Sequence, residues 1–320
     1  MLRAIWTACS AIVSFWSASA RAWLCLLYTS TVAAPPIRDL IFHNGFGGFT
    51  RDGKEYVTTL IAGQMTPAPW INVLANAGFG TVVSESGSSY SWAENCHEFR
   101  LTPWHNDPVV DPSGESFYLR DEETGQYWSP TPLPARGATP YTIRHGFGYS
   151  VFEHTEAGLA SELWLYVATD APVKFAVCRI RNTSGRARRI TVTGYWEWVL
   201  GDQRSRTLPH VQTEIDGATG ALLARNRYHA DFAERVVFVD TSDLNRTVSG
   251  DRLEFIGRNR TLARPAALQR VRLSGRVGAG LDPAAAVQVT VDLPAGQERE
   301  VVFRLGSGRS LCLLYTSRCV

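Results

Sequence analysis

The chain has 320 residues, 32 Lys and Arg against 30 Asp and Glu, and a formal charge of +2, a balance that excludes the basic field of a nucleic-acid binder. Arg3, Arg21 and Arg318 are the only charged side chains in residues 1–30 and 311–320, so the body between them holds 29 cations, 30 acids and a formal charge of −1. Its two cysteines, Cys96 and Cys178, make neither a disulfide framework nor a zinc motif and fit a reducing compartment, and no run approaches the ~18 apolar residues that cross a bilayer.

In chain order the first feature is a repeat. "LCLLYTS" stands at Leu24–Ser30 and again at Leu311–Ser317. Repeats normally recur at a fixed period because each unit buries its neighbour's face, and two copies bracketing a unique body have no such rationale. The heptamer resembles a reading frame of the transposon end used in sequencing libraries. Residues 1–30 and 311–320 are therefore expected to be assembly artefacts and 31–310 the folding unit. The rival reading of the first segment is a secretory signal: a cationic start at Met1–Arg3, an apolar run Ala4–Trp16 and a small-residue "SASA" cleavage site.

"HNGFGGFTRDGKEYV", from His43 to Val57, clusters Gly45, Gly47 and Gly48. A phosphate-binding loop would leave a strand, enter a helix and, in the NTPase form, carry Gly-Lys-Ser/Thr. Here a turn and a strand follow, which predicts a tight strand connection. From Ala62 to Arg144 prolines recur, including Pro67, Pro69, Pro103, Pro108, Pro112, Pro130, Pro132, Pro134 and Pro140. They predict surface loops between strands, accompanied by Trp70, Tyr90, Trp92, Trp104 and Trp128.

The remainder reads as strands. "ELWLYVATD", "VKFAVCRIRN", "RRITVTGYWEWVL", "RVVFVD", "RLEFIG" and "AVQVTVDLPAGQEREVVFRLG" are rich in Val, Ile and aromatics. Ile190, Val192, Trp196 and Trp198 share one parity, so a single face can be buried. "NTSGRA" predicts a hairpin loop with positive φ at Gly185, and Pro294, Ala295 and Gly296 a turn between the last two strands. "RPAALQR" is the best short helix. The fold class expected is all-β, one large antiparallel two-sheet sandwich with long loops.

The stretch "SWAENCHEFRLTPWHND" suits carbohydrate: an indole covers the C–H face of a sugar ring while Asn, Asp, Arg and His bond its hydroxyls. Trp92, Asn95, Arg100, Trp104, Asn106 and Asp107 are the candidates; the competing reading makes the tryptophans core. A metal at His97, His105 and Asp107 is disfavoured because the two histidines are separated across a proline rather than at helical spacing, and no metal is expected. Hydrolysis by the chain alone would need two carboxyl groups about 5–9.5 Å apart, with Glu94, Glu98, Asp107, Asp111 and Glu197 available. Asn182, Asn245 and Asn259 each begin an Asn-x-Ser/Thr triplet, relevant only to a secreted protein.

Seven blocks, "NGFGGFTRDGKEYV", "TPAPWINVLAN", "SYSWAENCHEFRLTPWHNDPV", "RDEETGQYWSPTPLP", "RHGFGYSVFEH", "GYWEWVLG" and "TEIDGATGALLARN", together resemble the amino-terminal sandwich of the inverting phosphorylases of glycoside hydrolase family 94, in the form carried by cyclic β-1,2-glucan synthases. The resemblance spans residues 38–306 and implies a helical barrel elsewhere in the polypeptide. There one Asp protonates the glycosidic oxygen while inorganic phosphate, the co-substrate of the full enzyme, attacks the anomeric carbon in place of a second carboxylate and its water. A barrel of about twelve helices needs several hundred residues, so this chain is expected to hold no catalytic residue and no cofactor.

The resemblance also implies site residues and partners. Tyr90, Ser91, Arg100, Leu101, Thr102 and Asn106 match the cellobiose-type pattern, and Trp92, Asn95 and Trp104 the glucan-synthase pattern. An acceptor-binding Gln-Arg pair would correspond to Gln203 and Arg204, with Pro209 and His210 holding the equivalent place if those two come too early. The expected partners are a β-glucan or oligosaccharide, the barrel of the same polypeptide and a second copy in a homodimer. The expected location is the cytoplasm, on the cytoplasmic side of a bacterial inner membrane as part of a larger membrane protein. Alternative readings are a freestanding carbohydrate-binding module and a non-catalytic dimerisation domain.

Overall fold

The computed structural model describes residues 38–309; the heptamers and the signal-like run lie outside the described residues. Strand alternation builds the core. Along Leu159–Val167 buried and half-buried residues alternate, sending Leu163 and Leu165 inward, as period-two patterning requires. This strand pairs antiparallel with Tyr149–Glu156 and Val173–Asn182 inside an eleven-stranded sheet. A second sheet of five strands is centred on Arg188–Glu197, flanked by Pro283–Leu293 and Glu115–Asp121. The expected all-β sandwich is what forms.

One main core lies between the sheets. Phe152, Leu163, Cys178, Ile180 and Phe303 enter from the large sheet and Leu119, Ile190, Val192, Trp196 and Val289 from the smaller one. Phe303 meets Phe117 at 5.9 Å and Trp196 at 5.8 Å between ring centroids. Each such fully buried apolar side chain contributes on the order of 1.5–3 kcal/mol. Cys178 is sealed here, and burial pushes its thiol up to about 12, so it behaves as a small apolar residue.

Several local expectations are corrected. The stretch expected to be proline-rich loop contains a third sheet, Ile71–Ala75, Phe79–Ser84 and Ser89–Ala93. "NTSGRA" is not a hairpin: Val173–Asn182 belongs to the large sheet and Arg188–Glu197 to the five-stranded one, and Gly185 does not take positive φ. The turn through Pro294 and Gly296 likewise crosses between sheets. Asn182 explains both corners. Fully buried, it donates from Nδ2 to the carbonyls of Arg186 at 2.7 Å and Leu293 at 2.9 Å, while its backbone bonds Gln297 and Gly296. A buried amide so committed cannot serve as an exposed glycan acceptor. "RLEFIG" is not a strand either: Arg252–Ile256 is a short helix capped by Asp251, whose side chain accepts from Leu253 N, and stopped at Gly257 with φ +86°, as Asx caps and C-terminal glycines do. "RPAALQR" supplies a 3-10 turn, Ala266–Gln269.

The glycine run is a strand connection, as expected. Gly47 lies in the strand Gly47–Thr50, where a Cβ would stand 2.2 Å from Val57 O, so the close pairing of the two backbones requires glycine.

Candidate functional site

The three-stranded sheet carries the aromatic residues. Its register aligns Val73, Val82 and Tyr90 in one row and Ala75, Gly80 and Trp92 in the next, and alternation aims these rows at the same face. Trp92 lies across Gly80, where an added Cβ would be 2.2 Å from the indole Cζ2. Tyr90 packs between two indoles, 5.2 Å from Trp92 and 4.8 Å from Trp104 by ring centroid, tilted 31° and 35°. Trp104 remains 37% exposed and the neighbouring Val73 55%. An aromatic face backed by sheet is therefore open to solvent. Beside it runs a cleft of about 330 Å³ lined by Ile71, Val82, Trp104, Asn106, Asp107 and Asp111, among others. Trp92 and Trp104 of the SWAENCHEFRLTPWHND stretch are not core, whereas Trp128, Trp196 and Trp198 are.

The reverse of the same sheet is fastened by a buried ion pair. Thr81, Ser89 and Ser91 point inward, where Lys174 Nζ stands 2.7 Å from Glu115 Oε2. Lys174 also donates to Thr81 Oγ1 at 2.9 Å and Ser89 Oγ at 3.3 Å. Glu115 Oε1 accepts from Ser91 Oγ at 2.7 Å and Thr102 Oγ1 at 2.8 Å. Burial pushes the Glu115 carboxyl up, but the charge and hydrogen bond of Lys174 and the two hydroxyls outweigh it, holding the group below the usual carboxylate range. Sequence reasoning missed this pair. The available signal was parity: Lys174 alternates in phase with Ala176, Cys178 and Ile180, the core-facing residues of its strand, and a lysine there requires a buried carboxylate.

The rim residues divide by what they bond. Asn95 Oδ1 accepts the amides of His97 and Glu98, each at 2.9 Å, so it builds the turn. Asp107 Oδ1 does the same for Val109 at 2.9 Å and Val110 at 3.3 Å, leaving the residue exposed at the cleft beside Asn106. Arg100 reaches backbone carbonyls, Cys96 O at 3.3 Å and Asp202 O at 3.2 Å. Bridges Trp92↔Arg100 and Arg100↔Gly201 bring the two predicted segments, 90–107 and 201–210, side by side.

In the second segment Gln203 is exposed. The Arg204 guanidinium, expected at a sugar, is instead held by Glu197 at 2.7 Å and by Asp282; Arg252 joins the same carboxylates at 3.0 and 3.2 Å. His210 stacks on Tyr228 with centroids 4.2 Å apart.

Four of the five carboxylates considered for hydrolysis are engaged in ion pairs or hydrogen bonds, while Asp107 caps a turn through Oδ1 and remains exposed at the cleft. Glu94 binds Arg235 at 2.5 and 2.9 Å, and that hydrogen bond holds its carboxyl below the usual range. Glu98 meets His97 at 2.7 Å, Glu197 meets Arg204 and Arg252, and Asp111 accepts Ser84 Oγ at 2.6 Å and Ser86 Oγ. Among the described residues no group of three or more His, Cys, Asp and Glu could hold a metal ion. The arrangement offers stacking surface and hydrogen-bonding rim.

Comparison with known proteins agrees with the fold. The glycosyl hydrolase 94 supersandwich domain matches residues 54–312. The chain is 41% identical over 270 residues to cyclic β-(1,2)-glucan synthase NdvB of Rhizobium meliloti (strain 1021), covering 84% of this chain and 10% of that protein. It is 27% identical over 271 residues to N,N'-diacetylchitobiose phosphorylase of Vibrio proteolyticus, covering 82% and 34%. A solabiose phosphorylase of Paenibacillus borealis is 30% identical over 168 residues, covering 49% and 20%. The chain thus spans about a third or less of the length of these relatives.

Proposed function

Because the chain belongs to the glycosyl hydrolase 94 supersandwich family, we propose that it is the glucan-binding sandwich of a larger enzyme that makes or phosphorolyses β-linked glucosides, and that the bond-breaking chemistry belongs to the rest of that enzyme. The observation that carries this reading is the Trp104–Tyr90–Trp92 face, backed by sheet and open beside a polar cleft. A pyranose laid on Trp104 would bury its apolar C–H face, and Asn106 and Asp107 stand at the rim for its hydroxyls. A β-1,2-linked glucan is the first ligand to try, given the relative named for that polymer.

Catalysis then divides between segments. The sandwich holds and orients the glucan; a general acid outside it protonates the leaving oxygen, and inorganic phosphate serves as the whole enzyme's co-substrate. The engagement of Glu94, Glu98, Asp111 and Glu197 in turns and ion pairs supports this division. Calorimetric titration of β-1,2-glucan into the chain tests the reading: saturable binding, weakened in Trp104→Ala, is expected, and no heat of binding in the wild type sinks it.

A second reading has its own observation. Ile71 and Val73 are 51% and 55% exposed on the same face, more apolar surface than a sugar needs, and the edge of the face then docks the remaining polypeptide or a second copy. Self-association of the chain that persists in Trp104→Ala but is lost in Val73→Asp would favour it.

A further inference from the structure

Tyr228 stands out because it is 78% exposed in a loop that is otherwise firmly built. Asn226, buried, donates from Nδ2 to Leu200 O at 2.9 Å and accepts Tyr228 N at 3.2 Å. The next residue, His229, bonds Glu98 O through Nε2 at 3.1 Å and takes the amides of Asp231 and Phe232 on Nδ1 at 3.2 and 3.3 Å. One face of the Tyr228 ring rests on His210, 14° from parallel, and the exposure leaves the other in water. A rigid loop that presents an aromatic ring to solvent gains no core packing from it, whereas a ligand that stacks on the ring does.

The loop that carries the ring is also joined to the segments that carry Trp92 and Arg100. The bridges from Trp92 to Arg100 and from Arg100 to Gly201 step the backbone sideways by about 5 Å each, so the 201–210 loop begins roughly 10 Å from Trp92. His229 joins the two sides, lying 3.5 Å from where a Gly201 Cβ would stand while bonding Glu98 O. The two aromatic groups, Trp104–Tyr90–Trp92 and His210–Tyr228, are therefore carried by chain segments that meet at Arg100, Gly201 and His229.

We infer that Tyr228, supported by His210, is a second sugar platform of the same surface, and that the ligand is an extended β-glucan chain of several units rather than a disaccharide. This rests on the glucan-binding reading. It requires no bond to form or break.

The test is calorimetric titration of β-1,2-linked glucose disaccharide and long linear oligosaccharide into wild type, Tyr228→Ala and Tyr228→Phe. Expected is a loss of about five- to tenfold in affinity for the long chain in Tyr228→Ala, restored in Tyr228→Phe, with any disaccharide binding unchanged. Long-chain binding that is equal in wild type and Tyr228→Ala overturns the inference and leaves the first platform standing. Equal weakening at both lengths overturns the separation of the platforms. A wild type that binds neither ligand defeats the glucan-binding reading itself.

Discussion

Lys174 Nζ lies 2.7 Å from Glu115 Oε2, with 2% and 0% of the two side chains exposed, directly beneath the strand that presents Tyr90 and Trp92. The pair ties Ser89 and Ser91 of that strand to the sandwich, so the aromatic face inherits the rigidity of the core. Removing one partner leaves a buried charge uncompensated, at a cost of about 3–5 kcal/mol. Lys174→Met should lower the unfolding free energy by that amount in denaturant titration, and adding Glu115→Gln should recover part of it. Equal stabilities in single and double variants would show the charges uncoupled.

Gly80 makes room for the Trp92 indole. A methyl group there stands 2.2 Å from Cζ2, so Gly80→Ala must displace the ring, with overpacking costs of roughly 1–3 kcal/mol. The expected result is a shifted tryptophan emission, a modest loss of stability and weaker glucan binding. Unchanged emission would mean that the indole does not lie on the strand.

His145 predicts a pH dependence. Burial lowers its imidazole from 6.5 to about 4, while Nδ1 stays within 2.9 Å of Ser150 Oγ. The unfolded chain binds a proton near pH 6.5 that the folded chain refuses. The contribution is therefore complete above pH 6.5 and falls away as pH drops towards 4, by about 3 kcal/mol at most. Stability measured across that window should fall less steeply in His145→Gln than in wild type; parallel slopes would contradict the assignment.

Asn182 closes both sheet-to-sheet corners. Asn182→Ala leaves the Arg186 and Leu293 carbonyls without that partner, a penalty of about 1–3 kcal/mol for each group kept from water. A drop in melting temperature of several degrees is expected, along with faster amide exchange around residues 183–187 and 294–297. Wild-type exchange at both corners would show that something else holds them.

What the sequence made readable followed from periodicity. Ile190, Val192, Trp196 and Trp198 announced a buried face, and the cluster around Trp92 and Trp104 announced an open one, because indoles amid Asn, Asp and Arg fit a core poorly. The hairpins were misread because two strands adjacent in sequence can join different sheets, and one of the buried contacts of Asn182 that decide this, with Leu293, comes from a residue more than a hundred positions away. Leu253 and Phe255 looked strand-like until the Asp251 cap and Gly257 set the backbone. Arg204 seemed free only because Asp282, one of its partners, is remote in sequence. Tyr228 gave no signal, since a lone tyrosine in a polar loop shows neither its exposure nor its neighbour His210.

The most direct measurement is a crystal structure of the chain with a linear β-1,2-linked glucooligosaccharide bound. A pyranose ring stacked on the open face of Trp104, its hydroxyls bonded at Asn106 or Asp107, is the predicted result. Sugar bound away from Trp104, Tyr90 and Trp92, with those rings bare, would contradict the account.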